Sequence, residues 1–370
     1  MLAIGWTTTS CLSDGEDTII VENGNPTDIP SDTKATPNPD IPSNNATIPN
    51  IQYTTVDEDG VAVLRIDMTG IQDKSTLEWL RLLGTGEPGQ NIWVEVDGKP
   101  KGIKVYNTAD SEETSVVPVE LIFLVDNSGS MSEEADVIAR DITEWAKKLE
   151  ATGLNILFGC VGYDGEITGA CTPCDAASLY NYLQKGSGTS RTVGFEGTAE
   201  EIAKYKNARS NYRTGGESTN ECGMAALRFA DENFKFRKGA NRIYVNFTDE
   251  PNQSAGITEF SVESLLTNWD TSKGTIHTVF SNGNETKKEY NYLMSEYTGG
   301  TTINTNRYFT DVTLESLPVT SAMMNSYIIR FTNIKEFMDG KPHEVRITIY
   351  DGNVHAERIF YVVFEDEKKK

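Results

Sequence analysis

The stretch VELIFLVDNSGSMSEE (residues 119–134) changes character at Asp126. Its first part, VELIFLVD, is a nearly continuous apolar run, the pattern of a strand covered on both faces. The next part brings Asp126, Ser128 and Ser130 within five positions, just where that strand ends. Small oxygen-bearing side chains there can make a polar turn, cap a following helix or hold a hard cation. The helix is read over 133–153, where Val137, Ile138, Ile142, Trp145 and Leu149 fall on one stripe and Gly153 closes it.

The alternation continues beyond this helix. NILFGCVGY (155–163), RIYVNFTD (242–249) and TIHTVFS (275–281) read as strands. Segments 198–208, 221–234, 259–269, 286–300 and 313–327 read as helices, the last bent or started near Pro318. Strands alternating with helices in this way imply a parallel sheet with helices on both faces. On either side the period becomes two: GVAVLRIDMTGI (60–71) and NIWVEVDGKPKGIKVYN (91–107) before it, YIIRFT (327–332), HEVRITIYD (343–351) and HAERIFYVVF (355–364) after it. The second of these turns back at Asp97-Gly98, a hairpin signal. A lone three-strand piece is marginal, so 326–370 is expected to pair with 51–117. The expected fold class is α/β: a doubly wound, mostly parallel sheet (118–325) inserted in or flanked by a β-sandwich of N- and C-terminal strands.

Ligands of open parallel sheets bind beyond the carboxyl ends of the strands. Three loops there carry oxygen donors: DNSGS (126–130), YRTGGESTNE (212–221) and FTDEP (247–251). None brings a histidine or a CxxC pair, so the set suits Mg²⁺, Mn²⁺ or Ca²⁺ and not zinc. In order and spacing the three loops together resemble the metal-ion-dependent adhesion site of von Willebrand factor A domains, and the resemblance covers about 118–325. It implies a Rossmann-like sheet of six or so mostly parallel strands and a bound divalent cation, Mg²⁺ foremost. It also implies that Ser128 and Ser130 bind the ion through their hydroxyls, joined by Thr219 in the ligand-ready state, with Asp126 and Asp249 acting mainly through water. Ser218 is the neighbouring alternative to Thr219. Neutral hydroxyl ligands leave a cation undercompensated, so an incoming carboxylate can complete its shell. Gly215 and Gly216 supply bending freedom to the second loop.

Rival readings of the same residues are weaker. A calcium loop needs glycine at its sixth position, where Met131 stands. A phosphotransferase with Asp126 as nucleophile would prefer an acid at Ser128. GTGEPG (84–89) matches a nucleotide-binding pattern in letters only, since no alternating strand leads into it and Pro88-Gly89 signals a turn. No G-x-S-x-G or H-E-x-x-H occurs, so an enzyme, such as a metal-dependent hydrolase, is a remote reading. The net charge of −22 argues against nucleic acid or an anionic membrane surface as partner.

MLAIGWTTTSC (1–11) followed by LSDGED resembles the end of a bacterial lipoprotein signal of the Bacteroidetes surface-export kind, with Cys11 as the lipidated residue; its apolar region is short and no basic residue precedes it. Residues 12–50, rich in Pro, Asn, Asp, Thr and Ser, read as a flexible tether. Cys160, Cys171, Cys174 and Cys222 could form disulfides in any of three pairings, stay as thiols, or serve metal or redox chemistry through CTPC (171–174). The expectation is a surface, lipid-anchored, cation-dependent adhesion protein that captures a carboxylate-bearing ligand and touches the membrane only through Cys11. An extracytoplasmic scaffold for envelope complexes, using the same site, is the alternative.

Overall fold

The computed structural model describes residues 28–364 apart from 48, 59, 108–117, 152–153, 216–219, 282–287 and 312. Cys11 and Thr219 lie outside the described residues, as does much of the expected tether. The central sheet has seven strands: β6 (Val119–Asp126), β7 (Ile156–Tyr163), β8 (Ile167–Cys174), β9 (Gly194–Glu196), β10 (Asn241–Thr248), β11 (Thr275–Phe280) and β12 (Thr302–Asn304). Their order is β12-β11-β10-β6-β7-β8-β9, and every pairing is parallel except β7 with β8.

Helices cover both faces. On one, Phe123, Phe158 and Val245 meet α1 (Ala135–Ala151), α2 (Ala176–Leu183) and α7 (Val319–Met324), with Ile142, Trp145, Leu179 and Val319 packed among them. On the other, Ile122, Leu124 and Tyr244 meet α3 (Ala199–Ala208), α4 (Gly223–Asn233) and α6 (Lys288–Thr298). This double cover explains why β6 is buried along its whole length, and why its sequence is an apolar run instead of an alternation.

The remaining strands form two four-stranded antiparallel sheets. One has β1 (Ile51–Glu58), β2 (Val61–Met68), β13 (Tyr327–Phe331) and β5 (Lys104–Asn107) in that order; the other has β15 (Val354–Val362), β14 (His343–Asp351), β3 (Ile92–Val96) and β4 (Lys99–Pro100). Leu64, Ile66, Ile329 and Phe331 from the first share one core with Val94, Val96, Val345 and Ile347 from the second. Asp97 and Gly98, at φ 48° and 73°, make the two-residue β3–β4 turn, where positive φ at both positions matches the strand twist. The antiparallel part meets the α/β part through backbone-directed hydrogen bonds: Asn50 Nδ2 donates to Arg242 O of β10 at 2.7 Å, and Gly70 N donates to Ala322 O of α7 at 2.8 Å.

The expected fold class needs correction. The chain is not a doubly wound α/β protein with a β attachment; it is mixed, and its two antiparallel sheets together hold more strands than the seven-stranded one. Within that sheet β8 runs against β7, joined by the tight turn at 164–166. The cause is connection length: a few residues can join only antiparallel neighbours, whereas a parallel return needs a crossover. Two further readings change locally. The helix expected over 259–269 is a pair of short 3-10 turns leading into the four-residue α5 (Leu265–Asn268). Residues 313–327 hold a 3-10 turn and then α7, which starts after Pro318 because proline lacks the N–H an interior helical position needs.

Candidate functional site

Strands β6 and β10 are parallel neighbours in a register that sets Val125 beside Phe247, so Asp126 and Thr248 end side by side. The first loop turns at once: Ser128 N donates to Asp126 Oδ1 at 3.0 Å, and a short 3-10 turn over Gly129–Ser132 follows, before α1. Asp126 therefore does serve as a local turn former, but its other oxygen is engaged across the sheet, accepting from Thr248 Oγ1 at 2.8 Å. The serine hydroxyls form a chain from loop to loop. Ser128 Oγ lies 3.0 Å from Ser130 Oγ, and Ser130 Oγ donates to Asp249 Oδ1 at 3.0 Å. Asp126, Ser128, Ser130 and Asp249 thus come together from two loops far apart in sequence. Asp126 and Ser128 are each 1% exposed, while Ser130 faces solvent.

The second loop is latched at both ends. Thr214 N and Gly215 N both donate to Gly165 O, at 2.9 and 3.0 Å. Asn220, in the left-handed region at φ 59°, donates from Nδ2 to Thr214 O at 3.1 Å, and Thr214 Oγ1 donates to Asn220 O at 2.6 Å. Gln253 N then donates to Glu221 O at 2.9 Å, joining the second loop to the third. Beneath the first loop, Asn127 Nδ2 reaches Thr168 Oγ1 at 2.6 Å and Thr192 Oγ1 at 3.0 Å, which fixes the floor.

The electrostatics are one-sided. Burial, reinforced by the nearby Glu221 carboxylate, pushes the Asp126 carboxyl up to about 8. Glu221 is pushed up to about 7 by its own burial and by Asp249 and Glu250. Glu134, also buried, is pushed up to about 7 by desolvation, with Asp249 adding to the effect. Neither Glu134 oxygen has a hydrogen-bond partner among the described residues. Acids held this far above their ordinary range mark carboxylates whose burial and mutual repulsion outweigh the nearby positive charge, such as that of Arg307 on Glu134. Among the described residues no three His, Cys, Asp or Glu side chains stand close enough to hold an ion by themselves; an ion here would rest on hydroxyl and carboxylate oxygens together. That donor set and charge excess fit a hard divalent cation.

Sequence reasoning did not single out Thr248, Glu221, Glu134 or Asn127. Thr248 and Glu221 stand inside the FTDEP and GGESTNE motifs, and the signal was there. Asn127 likewise stands inside DNSGS; Glu134 carries no such signal, since its role arises from burial. The four described cysteines, Cys160, Cys171, Cys174 and Cys222, are free thiols. Among the described residues no helix is long and apolar enough to cross a membrane.

No protein-family model matches the chain, and no curated protein matches it. Among solved structures the chain is similar to the pilus adhesin SpaC from Lactobacillus rhamnosus GG in its open conformation, with 9% sequence identity and a TM-score of 0.35. The match covers 88% of this chain and 48% of that one, so the chain spans about half of that adhesin's length. A likeness of this size carries neither fold nor function across, and the loop resemblance to von Willebrand factor A domains has no family model behind it. The reading of the site rests on its own geometry.

Proposed function

We propose that the chain is a divalent-cation-dependent binding protein whose site, formed at the ends of β6 and β10, captures a ligand through a carboxylate. The observation that carries this reading is the hydroxyl–carboxylate chain Ser128–Ser130–Asp249, laid against a buried Asp126 whose carboxyl is pushed up by burial and by Glu221 despite its hydrogen bonds from Ser128 and Thr248. Ser128, Ser130, Asp126 and Asp249 hold the ion, Mg²⁺ foremost, with Thr219 as the further donor from the second loop. A bound ion supplies positive charge and an open coordination position to the ligand. The protein's own residues do the rest: Asp126 is oriented by Ser128 N and Thr248, and exposed Ser130 leaves the approach open. Small hydroxyl side chains serve this better than a full carboxylate cage, which would neutralise the ion and leave it no call on a partner's charge.

Adhesion at a cell surface, with an anchor at Cys11, is the setting we propose, and binding is favoured over catalysis. Isothermal titration of the full chain with Mg²⁺ or Mn²⁺ tests the reading. One-site binding that disappears in the double variant Asp126→Ala, Ser128→Ala supports it; binding that survives overturns it. Incorporation of labelled palmitate, lost in Cys11→Ser, tests the anchor separately.

A further inference from the structure

In a regular strand, residues three apart point to opposite faces, so Cys171 and Cys174 of CTPC should be unable to meet. On β8 they do meet: their Sγ atoms are 3.7 Å apart. The reason is a β-bulge. Cys160 pairs with Cys171 and Phe158 with Cys174, so three residue steps on β8 oppose two on β7, and the register shifts between them. The extra residue turns one side chain over and brings both sulfurs to the same face. Pro173 sits inside the bulge, where a missing N–H costs no ladder bond.

We propose that Cys171 and Cys174 are a redox pair that closes to an intrastrand disulfide, leaving Cys160 and Cys222 as thiols. The other pairings are disfavoured by position. Cys222 belongs to the core on the opposite face of the central sheet, where its thiol donates to Asn252 Oδ1 at 3.2 Å, so the sheet stands between it and the rest. Cys160 lies opposite Cys171 in the ladder and is fully buried, but the close sulfur pair is Cys171 with Cys174. Cys174 alone in the group is partly exposed, and its Sγ lies 3.4 Å from Phe158 O. It is the thiol an oxidant can reach.

The chemistry is exchange with a small disulfide. The Cys174 thiolate attacks one sulfur of the oxidant and expels its partner as a thiolate; Cys171, deprotonated in turn, attacks the Cys174 sulfur and expels the second. The two cysteines lose two electrons and their two protons, and the oxidant's disulfide becomes two thiols. The Cys174 contact, then burial, holds the Cys171 thiol far above its ordinary range, so Cys171 serves as the resolving and not the attacking thiol. The product pins the end of β8 directly before Asp175, whose carboxylate caps α2 by accepting from Ser178 N at 2.7 Å.

The test is to incubate the folded full chain with oxidised glutathione, alkylate under denaturing conditions and map the peptides by mass spectrometry. The expected result is loss of two alkylations, both on the 171–174 segment, with Cys160 and Cys222 still alkylated. Cys171→Ala should leave Cys174 trapped as a mixed disulfide with one glutathione, because the resolving thiol is gone. This second readout keeps the test open should Cys174→Ser fold poorly. Full alkylation of both Cys171 and Cys174 after oxidation, or a bridge that includes Cys160 or Cys222, overturns the proposal.

Discussion

Replacing Asp126 by asparagine should make the metal-free protein more stable while removing its response to cations. The carboxyl is 1% exposed and is pushed from its ordinary 3.8 up to about 8. At pH 7 the unfolded chain carries this group ionised, whereas the native state must hold a proton on it. The penalty is about three pKa units at 1.36 kcal/mol each, or about 4 kcal/mol relative to a neutral isostere. Asparagine keeps the shape. Its oxygen can accept from Ser128 N, its amide can donate to Thr248 Oγ1, and that hydroxyl can donate to Glu250 O, already 3.1 Å away. The sign follows from proton counting. Between about pH 4 and 8 the native state binds more protons at this position than the unfolded chain, so wild-type stability in chelator should fall as pH rises, and the slope should flatten in the variant. At roughly 1–2 °C per kcal/mol for a chain of this length, the variant should melt about 4–8 °C higher in EDTA at pH 7. Calorimetry with and without Mg²⁺ reads both effects. The ion should stabilise the wild type by about 2.7 kcal/mol at a hundredfold excess over its dissociation constant, and the variant by nothing. A variant that melts below wild type in EDTA, or still responds to Mg²⁺, would refute the electrostatic reasoning.

Two other perturbations probe an antiparallel sheet and the floor of the site. His343 bridges Asp97 Oδ2 at 2.7 Å and Asp339 Oδ1 at 2.9 Å, and its hydrogen bond to Asp97, then that to Asp339, raises its pKa. A raised histidine gives stability that is complete below its unfolded value, about 6.5, and lost as pH climbs through the folded one; His343→Gln should therefore lower the melting temperature at about pH 5.5 and change it little at about pH 9, as thermal scans at the two values will show. A methyl group at Gly162 would lie 2.2 Å from Thr192 O and 2.8 Å from Asn127 Nδ2. Gly162→Ala should cost about 1–3 kcal/mol in denaturant melts and weaken Mg²⁺ binding in titration, because Asn127 forms the floor of the first loop.

Much of the central sheet is legible in the chain because burial writes it there. β6, β10 and β11 lie between two layers of helices; β6 is an apolar run, β10 and β11 carry Ile, Tyr, Val and Phe among buried polar residues such as Asn246 and His277, and α1 carries a single stripe. β8 is hidden. ITGACTPC sets its Ile and Thr residues among Gly, Ala and Pro, and a bulge disrupts its period, so neither propensity nor alternation marks it as a strand. With β8 unread, its antiparallel course and the helix α2 after it were unread too, and the fold class was drawn too close to a purely parallel pattern. The site divides in the same way. Asp126, Ser128 and Asp249 follow from position at strand ends, but Glu134 and Glu221 matter because they are buried near other acids, which is a property of three-dimensional packing and not of spacing.

The central claim is a cation held by Asp126, Ser128, Ser130 and Asp249. Anomalous diffraction from crystals of the full chain soaked in Mn²⁺ tests it most directly. One strong peak should lie among these four side chains, with a coordination position open to water or to a neighbouring carboxylate. Well-ordered loops with no peak there, or manganese bound only elsewhere, would contradict it.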